Sequence, residues 1–235
     1  MLLVTASSHD AYAPQLVERW RAHGARLLTP RDLSREGWRH DPLDPRRDTA
    51  VIDGERVNVA EVDGVLSRLA FVHESELADI CAEDRHYVAA ELNAFLVSWL
   101  SVLEVPVMNR ASPAGLAGPN WHPEQWTRLA AELGIRAAKC SRWVRPAPQR
   151  PRRRRSGPTA VTVTVVGAKA FGGDESIASA AVRLALAAAV DLLRARFVRR
   201  DDEWMFVGAD PWPDLAEPAE ADAALALLTS GRAAA

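Results

Sequence analysis

Residues 84–110 read DRHYVAAELNAFLVSWLSVLEVPVMNR, and this stretch decides the fold class. The spacing of its apolar side chains predicts a helix over Asp84–Leu103 with one buried face, formed by Val88, Leu92, Phe95, Leu96, Trp99, Leu100 and Leu103. The apolar run Val105–Met108 follows directly and predicts a strand that ends at Asn109-Arg110. A helix that leads straight into an apolar strand is typical of α/β architecture.

Three further apolar runs precede this helix, at Leu2–Thr5, Ala25–Leu28 and Val65–Leu69. A helix-spaced segment ending at Gly24 separates the first two, so the chain opens as strand, helix, strand. We therefore predict that these three strands and Val105–Met108 lie side by side in one mostly parallel sheet, with the long helix packed on it. Residues 1–140 are predicted to form this α/β domain, and Ala50–Asn58 to form a small hairpin that turns at Asp53-Gly54.

The second half of the chain begins with a segment of different composition. Arg145–Pro158 holds six arginines and four prolines, which neither a packed helix nor a central strand accommodates, so residues 141–159 are predicted to be a linker. Residues 160–235 are predicted to form a small α+β unit. Its predicted elements are a strand at Ala160–Val166, a helix at Ser176–Leu193, a hairpin of Arg194–Val198 with Glu203–Val207, and a helix at Glu220–Leu228.

Composition narrows the class of protein. The formal net charge is −2, so the chain as a whole offers no surface for a polyanion, and nucleic acid is not an expected partner. The two cysteines, Cys81 and Cys140, are too few for a disulfide framework and indicate reduced thiols in a cytoplasmic protein. The longest apolar run, Ile177–Leu193, is interrupted by Arg183, so no membrane span is expected. The tract Arg152–Arg155 is the feature that would suit a polyanion-binding adaptor.

Several short motifs carry a resemblance to a known family. They are Val65-Leu66-Ser67-Arg68, Pro106-Val107-Met108-Asn109-Arg110 and Gly118-Pro119-Asn120-Trp121 in the first half, and Val163-Thr164-Val165-Val166-Gly167 and Val207-Gly208-Ala209-Asp210-Pro211 in the second. Together they resemble the two ends of ATP-grasp carboxylate–amine ligases, especially bacterial members that act in peptide and natural-product pathways. The resemblance implies a shortened member, since the linker stands where that family has most of its nucleotide-binding lobe.

The resemblance implies a set of candidate site residues. In such ligases an arginine-bearing strand and an Asn-Arg turn face the active-site cleft, and Arg68, Asn109 and Arg110 match those positions. A guanidinium at the carboxyl end of a strand is well placed to bind a carboxylate or a phosphate. The alternative for Arg68 is a structural ion pair, with Glu91 or Asp63 as the partner.

The metal-binding positions implied by the resemblance are largely lost. In the family, magnesium lies on an acid of one strand and on an acid-x-Asn pair of the next. Here Gly208 stands where the carboxylate is expected and Asp210 where the asparagine is expected, while Arg196-Phe197-Val198 offers no acid. Thr162 stands nearest the position of a phosphate-binding arginine. Asp210 is therefore the one metal candidate, and a single carboxylate is a poor basis for a two-metal site.

These losses predict a degenerate ATP-grasp-ligase-like protein, a pseudoenzyme that acts as an accessory, regulatory or substrate-binding partner in peptide modification. The partner implied is a full-length ligase or its peptide substrate, with a dimer as a further expectation. No catalytic residue is predicted and no cofactor is expected to bind tightly. The alternative is an active ATP-dependent carboxylate–amine ligase with a rebuilt nucleotide site. In that case Asp201, Asp202, Asp210 and linker arginines would bind ATP and magnesium.

Overall fold

The computed structural model describes residues 1–44, 47–140 and 160–230, so the predicted linker 141–159 lies outside the described residues. Its elements follow in chain order. They are β1 (Leu2–Thr5), α1 (Ala13–Arg19), β2 (Arg26–Leu28), α2 (Pro30–Leu33), β3 (Thr49–Ile52), β4 (Glu55–Asn58), β5 (Gly64–Ser67), α3 (Arg85–Ser101), β6 (Val107–Met108), α4 (Pro123–Glu132), β7 (Val161–Val166), β8 (Lys169–Phe171), α5 (Glu175–Ala187), β9 (Leu192–Arg200), β10 (Glu203–Asp210) and α6 (Pro218–Thr229).

The first sheet is parallel and has the strand order β2-β1-β5-β6. Every residue of β1 and β5 is buried, as expected for the central strands of a sheet that is covered on both faces. Strands β3 and β4 form a separate hairpin whose turn residues, Asp53 and Gly54, both have positive φ, which suits a tight two-residue turn. The predictions of one four-stranded sheet and of this hairpin are confirmed.

Helix α3 packs on the parallel sheet and shares its core. Leu96, Trp99 and Leu100 are buried to 1% exposure or less, in one cluster with residues of β1, β5 and β6. Phe95 is partly buried and packs edge-to-face on Trp38, with ring centroids 5.3 Å apart. The helix ends at Ser101, two residues before the predicted end.

The second sheet is antiparallel, with the strand order β10-β9-β7-β8. One structural prediction is wrong here. The helix predicted over Ser176–Leu193 ends at Ala187, and Leu192 and Leu193 begin β9. The chain turns at Ala189, which has a left-handed φ of 52°, and an alanine-rich sequence carries no local signal for such a turn.

The two sheets share a core at helix α6. One buried cluster joins Leu66 and Met108 of the parallel sheet to Leu192 of the antiparallel sheet and to Ala224 and Leu228 of α6. The approach is close, because a Cβ added to Gly64 would lie 2.6 Å from the carbonyl oxygen of Leu228. The predicted division into residues 1–140 and 160–235 stays a prediction, but the last helix packs against strands of both halves.

Two composition-based expectations can be compared with the described residues. None of their helices combines the length and the apolar character that crossing a bilayer requires. Cys81 and Cys140 are both exposed, and neither forms a disulfide.

Replacing Trp99 tests the α3 core. Trp99→Ala should lower the free energy of unfolding by about 3–5 kcal/mol, because it removes a fully buried aromatic side chain. Trp99→Phe should cost much less, since it keeps an aromatic ring and removes an indole N–H that is buried without a partner. Urea denaturation measures both, with Leu186→Ala, whose parent side chain is 71% exposed, as the control. Equal midpoints for all three variants would show that α3 does not form the core.

Candidate functional site

Arg68 lies just beyond β5, between the parallel sheet and the loop that follows β10. Its side chain is 5% exposed, and its Nε lies 2.8 Å from Oδ2 of Asp10. A second donor of the guanidinium bonds to the carbonyl oxygen of Pro213. The structure therefore places Arg68 in a buried ion pair with Asp10, and its role in binding a ligand stays a prediction.

The pKa of Asp10 reports the same ion pair. Burial alone would raise the pKa of its carboxyl group. The hydrogen bond and the charge of Arg68, together with the backbone N–H groups of Tyr12 and Ala13, outweigh burial and hold that pKa below its usual value. The carboxylate is thus the form that the fold stabilises.

Asn109 lies at the end of β6 in a left-handed conformation, with φ of 54°, which asparagine tolerates better than most residues. Its Nδ2 donates to the carbonyl oxygens of Leu192, at 2.8 Å, and Pro211. Its Oδ1 accepts from the N–H groups of Asp191 and Leu192, both at 2.9 Å. These four bonds use the whole hydrogen-bonding capacity of the amide. Asn109 thus joins the parallel sheet to the start of β9, and its predicted ligand-binding role stays a prediction.

Arg110, the third candidate from the sequence, is exposed. Its guanidinium makes long hydrogen bonds of 3.5 and 3.3 Å to the carbonyl oxygens of Leu103 and Val105. It lines a cavity of about 270 Å³ together with Asp191, the residue before β9, and Ser230, the residue after α6. Of the three candidates, Arg110 is the one with a side chain open to solvent.

One face of the antiparallel sheet carries two arginines, Arg194 and Arg196, beside the positions where the resemblance implies metal ligands. Arg194 of β9 is held by three partners: its Nε lies 3.0 Å from Oγ1 of Thr164, one Nη lies 3.0 Å from Oε2 of Glu220, and the other Nη bonds to Asp214. Glu220 belongs to α6 and its side chain is 7% exposed. Arg194 therefore fastens α6 to the sheet.

Arg196 occupies the next outward-facing position on the same face and differs from Arg194 in its surroundings. It lies opposite Gly208 on one side and Thr162 on the other. A Cβ added to Gly208 would be 2.9 Å from Nη2 of Arg196, so the guanidinium lies directly over the glycine. The guanidinium of Arg196 thus covers the position that the resemblance implies for a metal-binding carboxylate.

Asp210 ends β10 opposite Arg194, and its Oδ1 accepts a hydrogen bond from the N–H of Trp212 at 3.1 Å. This contact is the side-chain-to-backbone bond that aspartate commonly makes in turns. Within the described ranges no three His, Cys, Asp or Glu residues are grouped so as to hold a metal ion. Arg196 repels cations, and Asp210 is a single carboxylate, so these residues do not fit the two magnesium ions of an ATP-grasp site.

A second polar cluster escaped the sequence analysis because its members are far apart in the chain. Nδ1 of His40 lies 2.7 Å from Oδ2 of Asp48, and Nε2 lies 2.9 Å from Oγ of Ser98 on α3. Asp48 is fully buried and also accepts the N–H of Asp41 at 2.7 Å. The order of groups is that of a hydrolase triad, but the His40 side chain is only 9% exposed. The cluster fastens the loop before β3 to α3.

Comparisons with known proteins identify the architecture. No family model and no curated protein matches the sequence. The solved structures to which the chain is similar include ATP-grasp ligases and a macrocyclase that were solved with peptides bound, and the alignments run over nearly the whole of both chains. At 10–15% identity this likeness establishes the fold, so the chain has the ATP-grasp ligase fold that the resemblance implied.

Three of these structures illustrate the likeness. The macrocyclase MdnC from Microcystis aeruginosa MRC, bound with precursor peptide MdnA, is 12% identical over 97% of this chain and 99% of that chain, with a TM-score of 0.68. A RiPP-associated ATP-grasp ligase from Chryseobacterium gregarium, in complex with ADP and a leader and core peptide, is 10% identical over 97% and 96%, with a TM-score of 0.68. The ligase PsnB, complexed with minimal precursor, Mg and ADP, is 15% identical over 98% and 98%, with a TM-score of 0.60.

Substitutions at Asn109 test its role as a connector of the two sheets. Asn109→Ala should lower the free energy of unfolding by at least about 2–3 kcal/mol, because buried backbone groups lose their partners. Asn109→Gly loses the same bonds but accepts the left-handed φ, and should recover about 1–2 kcal/mol of that loss. Denaturant unfolding measures both, with the exposed Asn120→Ala as the matched control. If Asn109→Ala matched that control, the four bonds would contribute nothing to stability.

The Asp10–Arg68 pair predicts a pH dependence. Asp10 has a folded-state pKa below the unfolded value of 3.8, so its contribution to stability is complete above that pH and is lost as pH falls through the folded-state pKa. Asp10→Asn should cost about 1.5–3 kcal/mol near neutral pH, as expected for hydrogen bonds to a charged group. The unfolding free energies of the variant and the parent should converge in acid. A difference that persists at the lowest pH would contradict this, and Asp202→Asn serves as an exposed control.

Proposed function

We propose that this chain is a degenerate ATP-grasp-ligase-like protein that serves peptide modification as an accessory or substrate-binding partner and does not transfer phosphoryl groups. The observation that carries the proposal is that Arg196 covers Gly208 on the antiparallel sheet, where the resemblance implies a metal-binding carboxylate. Phosphoryl transfer depends on positioning and on neutralising charge at the reacting phosphate, and divalent metals held by several oxygens supply most of that neutralisation. A guanidinium at that place excludes the metal.

The length of chain between the two sheets also supports the proposal. Residues 133–160 separate α4 from β7. Residues 136–138 run beside β10, where the N–H of Phe206 bonds to the carbonyl oxygen of Arg136. The resemblance implies a covering lobe at this point, and the whole connection has fewer residues than a sheet of about six strands, each about 5–6 residues long, requires.

The active-ligase alternative requires residues that the fold keeps apart. Asp201 and Asp202 form the turn between β9 and β10, and Asp202 pairs with Arg199 at 3.4 Å. Asp210 lies at the other end of β10, about 25 Å from Asp202 at the rise of an extended strand. One metal ion cannot be bound by both ends of the strand. The linker arginines, which that alternative also needs, lie outside the described residues.

The peptide-binding part of the proposal rests on the similar structures and on one surface feature. MdnC and the Chryseobacterium gregarium ligase were both solved with peptides bound. In this chain a cavity of about 210 Å³ opens beside the loops that follow β5 and β6, and it is lined mainly by apolar groups that include Phe71, Val97 and Pro113. Ligands of parallel α/β sheets commonly bind at the carboxyl ends of the strands. This cavity is the place that we assign to a side chain of the bound peptide.

A nucleotide-binding measurement tests the proposal. ATP with magnesium should bind no more tightly than about 1 mM, which corresponds to only about −4 kcal/mol. ADP should not be released with any pair of carboxylate and amine substrates. Calorimetry measures the affinity and a coupled ADP assay measures turnover. Micromolar ATP binding that disappears in Asp210→Ala but survives in Asp202→Ala would replace this proposal with the active-ligase alternative.

A further inference from the structure

Two neighbouring arginines of the antiparallel sheet differ in their ion pairing. Arg194 shares its guanidinium with Thr164 and with the carboxylates of Asp214 and Glu220, so its charge is fully compensated. Arg196 is exposed, and no carboxylate of the described residues lies within ion-pair distance of it. Because both side chains leave the same face of β9, the difference comes from their neighbours and not from the strand itself.

The neighbours of Arg196 form a row across three strands. Thr162 on β7 and Gly208 on β10 are its partners in register, and adjacent strands lie about 4.8 Å apart. The Thr162 residue is exposed, so its hydroxyl is available to donate or accept a hydrogen bond. The row therefore brings a forked guanidinium and a hydroxyl side by side without an acid among them.

Gly208 makes this row possible. Its φ of 158° lies in a region that side chains rarely adopt, and it follows the irregularity in pairing between Phe206 and Gly208. Nη2, Cζ and Nε of Arg196 would all lie within 4 Å of a Cβ at this position. Any side chain there would displace the guanidinium from the surface of the sheet.

From this row we infer that Arg196 and Thr162 bind an oxyanion, a carboxylate or a phosphate group, without a metal ion. The inference rests on the proposed function, because it assigns a ligand to the face that no longer holds magnesium. A guanidinium binds a carboxylate or a phosphate group through two parallel hydrogen bonds, and its permanent positive charge takes the place of the metal cation. Asp210, in the next row opposite Arg194, is the nearest acid along β10 and is engaged by the N–H of Trp212.

The test follows the Nε–H resonance of Arg196 by NMR during titration with two probes, inorganic pyrophosphate and an N-acetylated, C-amidated Glu-Glu dipeptide. Each titration is run in EDTA and again in excess magnesium. A saturable shift in EDTA with either probe supports the inference, and the probe that binds identifies phosphate or carboxylate as the source. No saturable shift with either probe, or a shift that needs magnesium, overturns it.

Variants separate the site from general surface charge. Arg196→Gln should weaken binding at least tenfold, and Gly208→Ala should also weaken it by displacing the guanidinium. Binding to these variants is followed by calorimetry, with circular dichroism to confirm folding. Arg199→Gln is the matched control, because Arg199 is exposed on the opposite face of β9 and pairs with Asp202. Equal losses in Arg196→Gln and Arg199→Gln would overturn the inference.

The results distinguish a failure of the oxyanion site from a failure of the proposed function. If no oxyanion binds and no ADP is released from ATP, the oxyanion site is wrong and the degenerate-ligase proposal stands. If ADP is released, the proposed function is wrong whatever Arg196 binds.

Discussion

The side-chain amide of Asn109 is the interaction on which the arrangement of the two sheets depends. It lies at the end of the parallel sheet and bonds to four backbone groups, at Asp191, Leu192 and Pro211. Backbone N–H and C=O groups that are buried away from water need hydrogen-bond partners. Here one side chain supplies these partners both at the start of β9 and in the loop after β10. The start of β9 and the loop after β10 are both positioned by this contact, so the arginine-bearing face depends on it.

The loop after β10 also restricts the hydrogen bonds that Arg68 can offer to a ligand. Since the carbonyl oxygen of Pro213 accepts a hydrogen bond from Arg68, and Asp10 pairs with its Nε, the guanidinium is used within the fold. On the antiparallel sheet, by contrast, Arg196 is exposed and has no ion-pair partner among the described residues. A guanidinium carries a permanent positive charge, which attracts oxyanions and repels magnesium, and our proposal of a binding role without phosphoryl transfer depends on this charge.

Local pattern was sufficient for most of the fold. The apolar runs at β1, β2, β5 and β6 and the helical spacing of α3 are properties of consecutive residues, and the fold class followed from their alternation. The prediction of the boundary between α5 and β9 was wrong, because the local sequence pattern does not mark where the helix ends. Leu192 and Leu193 continue the apolar spacing of α5, but the left-handed Ala189 turns them into the first residues of β9, where both are buried in the sheet.

The sequence by itself determined the α/β class and most of the elements, and it shows glycine at position 208 and no acid at 196–198. The tertiary structure alone decided which groups the candidate site residues contact. Arg68 forms an ion pair with Asp10, 58 residues away in the sequence, and Asn109 forms a hydrogen bond with Pro211, 102 residues away. Periodicity reports only which face of a helix or strand is buried, whereas the partner of a buried polar group depends on which distant backbone or carboxylate the packed chain brings within hydrogen-bond distance.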